Sequence, residues 1–488
     1  MTNTLKSRQF AAPRLVGTPQ LLSRDADTSL VEQIVRSIET RIDDKLLRTG
    51  SRMPSIRQYA EFNGVSRFTV VEAYDRLVAK GFLESRRGSG FYVRERSPLI
   101  TTHQAPQAHQ WQPPLIDVVW LVRNMFRQMP NQKKPGTGML PTEWLDGDLI
   151  ANALRAISRQ NASQLLGYGD PQGFLPLRQQ LQLKLAELEI AVTPEQIVTT
   201  TGVTQALDIV ARHFTQPGDV IFVDDPTWFL MFGSFAALGA KVIGIPRLAD
   251  GPDIVKLAEL AAIHKPKLYV LVSVLHNPTS TSMSAAKAFQ TLKIAEEHDF
   301  IIVEDDIYCD MHPGSAVQPA TRLATLDQLN RVIYLGGFAK TLSANLRVGF
   351  IATSHETAQH LADRKMLTTL TTSEIGERVV YKILSEGHYR KHADRLRTKM
   401  DIAREKTVRH LVRIGMNVDI APPAGMFIWV DTGYDTNILA EKAAARGFML
   451  APGALFSPNQ LPSTRMRINV AAMSDPEMWR FLEEECQR

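Results

Sequence analysis

The residues of this 488-residue chain that could do chemistry lie in short polar stretches, most of them directly behind apolar runs. Thr201-Gly202-Val203-Thr204-Gln205 is the first of five. A turn from a strand into a helix offers free N–H groups to a phosphate, and this stretch suits that use. Asp225-Pro226-Thr227-Trp228, His276-Asn277-Pro278-Thr279 and Glu304-Asp305-Asp306-Ile307-Tyr308 follow in order. Gly336-Gly337-Phe338-Ala339-Lys340 is the last, with Arg347 seven residues beyond its lysine. Singly, each reads as a cap, a turn or a surface charge. Five in order at the ends of strands point to one site, because ligands of open α/β sheets gather beyond the carboxyl ends of the strands. A second set lies near the N-terminus. Ser66, Arg67 and Thr69 open an amphipathic run, and Arg86, Arg87, Ser89 and Gly90 crowd a glycine turn. Such residues at a helix start and a loop tip suit phosphates and base edges.

Positioning these groups takes two kinds of scaffold. In the first, Leu30, Ile34, Ile38, Ile42 and Leu46 recur every four positions, one stripe of a helix over 30–46. Ser55 with Gln58 predicts a capping box opening a second helix, which Asn63-Gly64 breaks. Ser66 caps a third, carrying Val70, Val71, Tyr74, Leu77 and Val78 and closed by Gly81. Two short strands around Arg86–Gly90 complete a winged helix-turn-helix. The second scaffold alternates strands and helices. β-rich runs at 197–200, 220–223, 241–245, 268–272, 300–303, 332–335 and 348–351 predict an α/β domain with a mainly parallel seven-stranded sheet. After Glu374 long helices take over, and runs at 426–430 and 466–470 predict strands of a smaller α+β domain. The expected division is an N-terminal arm (1–28), the winged head (29–96), a proline-rich linker (97–114) and the large body (115–488), entered through an apolar helix over 116–129.

Charge separates the same two parts. The net charge is +5. Residues 1–96 hold 17 Lys and Arg against 11 Asp and Glu, whereas residues 97–488 hold 39 against 40. The excess sits in the head, as expected of a polyanion-binding module on a neutral body. Apolar residues at 44% and charged residues at 22% exclude a disordered or fibrous chain. Two cysteines exclude a disulfide framework, and the first 25 residues carry no apolar stretch, so no secretory leader is expected. The most apolar run, 268–275, is far short of a bilayer span. A cytoplasmic setting without membrane or metal is expected.

Residues 29–96 resemble the GntR family of bacterial regulators. The string that carries this is Pro54-Ser55-x-Arg57, Gly64-Val65-Ser66-Arg67-x-Thr69-Val70, Ala73-Tyr74, Leu77, Gly81 and Gly88-Ser89-Gly90. Tyr59 stands where that family usually has Leu, a change of packing. Residues from about 115 onward resemble fold-type I aminotransferases that use pyridoxal 5′-phosphate: Asn277, Asp305, Lys340 and Arg347 fall in that family's order, with gaps of 28 and 35 residues before the lysine. Joined, the two halves resemble the MocR-type regulators, in which an aminotransferase-like body serves as effector domain.

The resemblance implies that Lys340 forms the Schiff base with the cofactor, that Asp305 pairs with its pyridinium nitrogen, and that Asn277 and Tyr308 bond its ring hydroxyl. It implies that Trp228 stacks on the ring and that Gly202, Val203, Thr204 and Arg347 hold the phosphate. Tyr168 resembles a tyrosine that reaches the phosphate of the other subunit, and Arg467 one that clamps a substrate carboxylate. On the head it implies operator DNA as partner of Ser55, Arg57, Ser66, Arg67, Thr69, Arg86, Arg87, Ser89 and Gly90. It further implies a homodimer with head-to-tail packing of heads on bodies. Gly337 and Ala339 depart from the Ser or Thr usual beside the lysine, removing up to two hydrogen bonds to phosphate, about 1–3 kcal/mol each. Ser280 stands where Gly is usual. The reading that follows is a DNA-binding regulator that senses pyridoxal phosphate or its adduct with an amino acid or amine. The alternative is a working aminotransferase with an accessory DNA module. A body that only dimerises would not need the ring-binding set.

Overall fold

The computed structural model describes Leu22, residues 28–94, Arg123, Pro130, and residues 133–159, 166–314 and 320–486. The expected arm, linker and 116–129 helix lie outside the described residues, apart from Leu22, Thr28 and Arg123. Contacts divide the chain into two compact units, Met1–Gln112 and Pro113–Arg488.

The first unit holds α1 (Leu30–Asp43), α2 (Ile56–Asn63), α3 (Arg67–Ala79), β1 (Leu83–Arg86) and β2 (Gly90–Val93). Local chemistry sets its boundaries. The Ser55 hydroxyl accepts from the Gln58 amide while the Gln58 side chain accepts from Ser55 N, a reciprocal cap. Gly64 ends α2 at φ +63, a left-handed position that costs glycine nothing. Ser66 accepts from the Thr69 amide at 3.0 Å and opens α3. Ile34, Val35, Ile38, Tyr59, Val70, Ala73, Tyr74 and Leu77 form the core, closed by Leu83 and Val93 of the hairpin. Tyr59 meets Tyr74 edge-on with ring centroids 5.6 Å apart, so its substitution for Leu is absorbed in packing. The predicted stripe runs too far: α1 ends at Asp43, Lys45 turns through φ +60, and Leu46 is left 62% exposed.

The second unit contains helices α4 (Gly147–Ser158), α5 (Leu175–Ala186), α6 (Gly202–Phe214), α7 (Leu230–Ala237), α8 (Ile254–His264), α9 (Ala285–Glu297), α10 (Leu323–Asp327), α11 (His355–Thr369), α12 (Glu374–Ser385), α13 (His388–Arg413), α14 (Thr436–Ala445) and α15 (Pro476–Cys486). Its large sheet contains β3 (Ile197–Thr200), β4 (Val220–Asp225), β5 (Lys241–Leu248), β6 (Gly251–Pro252), β7 (Leu268–Leu271), β8 (Ile301–Asp305), β9 (Val332–Gly337) and β10 (Gly349–Ala352). The strand order is β3-β10-β9-β8-β7-β4-β5-β6. Pairings among β5, β4, β7, β8 and β9 are parallel, while β10 is antiparallel to both neighbours. The expected seven strands are present. The eighth, β6, is a two-residue return antiparallel to the end of β5, too short to leave a pattern. Alternation divides the central strands between two cores: Ile221 and Val223 face one, Phe222 the other, and β7 and β9 repeat this. Where both faces are buried, as in β3, β7, β9 and β10, the strands read as largely apolar runs. A smaller antiparallel sheet, β11 (Phe427–Asp431), β13 (Arg465–Asn469) and β12 (Ala451–Pro452) in that order, has its own core with Leu439, Trp479 and Phe481. Among the described residues no helix is long and apolar enough to cross a membrane.

Candidate functional site

A cleft of about 150 Å³ opens at the carboxyl ends of the large sheet's parallel strands and is completed by β13. Gly202, Val203 and Thr204 reach it from the start of α6, Trp228 from the turn after β4, and Asn277 from the turn after β7. Asp305 and Tyr308 come from the end of β8, Lys340 from the turn after β9, Arg347 from the turn before β10, and Arg467 from β13. Tyr168 is not among the lining residues and is 82% exposed.

Three carboxylates stand in a row at the end of β8, and pleating separates them. Glu304 accepts from the amides of Leu323 and Ala324 at 2.9 and 2.8 Å and so anchors α10. Asp306 pairs with Arg322 and accepts from the Tyr334 hydroxyl. Only the middle one, Asp305, lines the cleft. Its Oδ1 accepts from Ile307 N at 3.2 Å, and it forms no ion pair among the described residues. Burial raises its pKa to about 7.

Lys340 Nζ donates to Gly138 O at 2.8 Å. Burial, with Arg467 nearby, lowers its pKa to about 8, so near neutrality much more of it is available as free amine than of a surface lysine. Arg467 donates through Nη1 to Asn277 Oδ1 at 2.9 Å and through Nη2 to Gly136 O at 2.7 Å, while Nε has no partner. Phe427 and Phe456 lie 4.4 and 4.9 Å from its guanidinium carbon. Asn277 Nδ2 donates to the Tyr308 hydroxyl at 3.3 Å.

The other end of the cleft is an anion cradle. Gly202 opens α6 at φ +75, and a Cβ there would meet Arg347 Nη2 at 2.8 Å. Arg347 Nη2 donates to Thr201 O at 2.9 Å, so helix N–H groups and a guanidinium sit side by side. An amine, a buried carboxylate without an ion partner and this cradle suit a ligand that carries a carbonyl, a basic ring nitrogen and a phosphate. Two of the departures, Gly337 and Ser280, also find reasons, and nothing in the structure explains Ala339. A Cβ at Gly337 would lie 3.0 Å from Ile307 Cδ1 and 3.2 Å from Val348 O, leaving a hydroxyl little room. Ser280 holds φ +53 and its hydroxyl accepts from Phe427 N at 3.2 Å, tying the Asn277 turn to β11.

Sequence reasoning missed Gly136, Gly138 and Met139, and the aromatic flanks of Arg467. Their part is played by backbone carbonyls and distant ring faces, which leave no motif. On the head, Ser55 and Ser66 are occupied as caps, Arg57 pairs with Glu61 at 2.8 Å, and Ser89 and Tyr92 hydroxyls bond at 2.6 Å in the hairpin. Thr69 bonds Ser66 Oγ through its hydroxyl at 2.7 Å. Arg86 lies over the Tyr92 ring at 4.4 Å and pairs with Glu84. Arg67, Arg87 and Gly90 are exposed.

Residues 136–484 match the family described as aminotransferase class I and II, and residues 30–93 match the gntR family of bacterial regulatory proteins. The chain is 27% identical to the HTH-type transcriptional regulator YdfD of Bacillus subtilis, covering 91% of this chain and 93% of that one. It is 30% identical to MocR of Rhizobium meliloti, described as a probable rhizopine catabolism regulatory protein, covering 77% and 76%. Among solved structures, the kynurenine aminotransferase of Pyrococcus horikoshii superposes with a TM-score of 0.69 at 27% identity, covering 76% of this chain and 93% of that one. The chain belongs to the aminotransferase class I and II family and, through its gntR-type head, to the MocR-type regulators within it.

Proposed function

We propose that this regulator binds operator DNA through its head and pyridoxal 5′-phosphate in the cleft of its body, and that it senses the cofactor or its adduct with an amino acid or amine. The observation that carries the reading is the convergence of Lys340, Asp305, Asn277, Tyr308, Trp228 and Arg347 on one cleft beside the start of α6. Bound there, pyridoxal phosphate supplies an aldehyde that condenses with amines. Lys340 presents the attacking amine, and Asp305 holds a proton at the ring nitrogen. Gly202, Val203, Thr204 and Arg347 fix the phosphate, and Asn277 and Tyr308 orient the ring hydroxyl. Arg467 reserves a place for a carboxylate, so where the signal is an adduct, an amino acid or a carboxylated amine suits it, and the rival signal is pyridoxal phosphate itself. Tyr168, exposed on one chain, would complete the phosphate site of a second copy in a homodimer. On the head, Arg67 and Thr69 at the start of α3 would meet the major groove and Arg86, Arg87, Ser89 and Gly90 the neighbouring backbone, with Ser55 and Arg57 at the start of α2. A signal moves DNA binding only by differential affinity for two arrangements of the dimer, typically about 1–3 kcal/mol.

The test is to purify the protein without added cofactor, record its visible spectrum before and after loading, and titrate amines and amino acids in a gel shift on DNA upstream of its own gene. Cofactor-dependent or amine-dependent binding supports the reading. If neither moves DNA binding while amines turn over, the second reading, a working aminotransferase with an accessory head, takes its place. The same Lys340–Asp305 pair favours it.

A further inference from the structure

The outward side of α3 carries an apolar pair that neither the core nor the cap uses. Phe68 is 76% exposed and Val71, one turn further on, 36%. Residues three apart are neighbours on a helix surface, so the benzyl ring and the isopropyl group form one strip. Val70, Ala73, Tyr74 and Leu77 face inward and already fill the core. The Arg67 side chain beside it has no hydrogen bond or ion pair among the described residues, Arg57 at the start of α2 is exposed and paired with Glu61, and further along α3 Glu72 pairs with Arg76 while Asp75 is exposed. With the uncommitted Arg67 beside it and the chain's basic excess in this head, the partner that suits Phe68 is a polyanion with apolar groups at the same depth as its recognised edges.

In the DNA major groove one base meets that description, because thymine alone carries a methyl group there. We propose that Phe68, backed by Val71, reads thymine by packing on C5 methyl groups, so that this head selects operators with thymine at the positions facing the second residue of α3. The inference rests on the reading of α3 as the DNA-facing helix and adds to it the base class selected.

The test uses the full-length protein loaded with pyridoxal phosphate. Duplexes are selected from a random library, and in the best of them each thymine is replaced in turn by deoxyuridine, which removes the methyl and keeps every hydrogen-bonding edge. Wild type is expected to lose about fourfold in affinity per contacted methyl, the transfer worth of one such group. Phe68→Ala is expected to bind the thymine and deoxyuridine duplexes equally, and Phe68→Leu to keep part of the difference. Arg67→Ala is expected to weaken both duplexes and leave their ratio unchanged. A wild type indifferent to every methyl, or a Phe68→Ala variant with the wild-type ratio, overturns the thymine assignment and leaves the DNA-facing helix standing. A protein that selects no duplex while Arg67→Ala changes nothing overturns the helix reading and the inference with it.

Discussion

At the start of α3, Arg67 and Phe68 project from the fold with little holding them, and the helix beneath is complete without them. In the cleft, Asp305, Asn277, Tyr308 and Arg467 are buried, and hydrogen bonds tie the last three to segments far away in the chain. Exposed side chains of the head and buried side chains of the cleft therefore respond differently to the same kind of change. A side chain of the first sort can be removed without touching stability. One of the second sort is part of the packing, and its charge state is set by burial.

The sharpest break of this contrast is Lys340→Ala, which should abolish the visible band that appears when the cofactor-free protein is loaded with pyridoxal phosphate. In the wild type the loading rate should climb with pH through about 8, because only the neutral amine attacks the aldehyde. A band that survives in the variant removes Lys340 from the site.

Asp305→Asn comes next. With no cofactor bound, burial raises Asp305 from 3.8 to about 7. The folded state then holds a proton that the unfolded chain has lost, and stability falls as pH rises from about 4 to 7. The variant lacks this slope, so at pH 8 relative to pH 4 it should gain on the order of 2–4 kcal/mol over wild type in cofactor-free melts, while losing affinity for the cofactor. Parallel pH profiles for the two proteins would show that Asp305 is not a penalised charge.

On the head, Arg67→Ala should cost about 1–3 kcal/mol of operator binding if it reads a base, or lower the salt slope by about one if it meets phosphate. Its melting temperature should stay that of wild type, which a differential scan checks. A marked loss of stability would place Arg67 with the buried class. The smallest effect is expected for Ser280→Gly. It relieves a left-handed serine at about 1–2 kcal/mol and forfeits the bond from Phe427 N at about 1 kcal/mol, so unfolding should shift by no more than about 1 kcal/mol.

Legibility in the sequence followed the same division. Caps and turns are local, and Ser55, Gln58, Ser66, Gly64 and Gly81 announced the head's elements to within a few residues. Buried strands announced themselves as apolar runs because both faces of the large sheet are covered. Leu46 misled because a four-residue period cannot see that Lys45 turns the chain away. In the cleft, side chains with distinctive chemistry were legible through order and spacing. Gly136 and Gly138 were not, since a carbonyl that accepts from Arg467 or Lys340 belongs to every residue alike. Phe427 and Phe456 were not, since nothing local relates them to Arg467. Phe68 was passed over as the unspecified position of a motif, and only its exposure sets it apart.

The bonds from Arg467 to Gly136 O and to Asn277 join the beginning, the middle and nearly the end of the body. During synthesis, everything the described head contains has been made by residue 94, but the cleft lacks its closing wall until residue 467. At roughly 5–20 residues per second the interval is on the order of 20–75 s. For that time each new chain can own a folded head while its cleft is still unfinished, so the two halves of one molecule come of age separately.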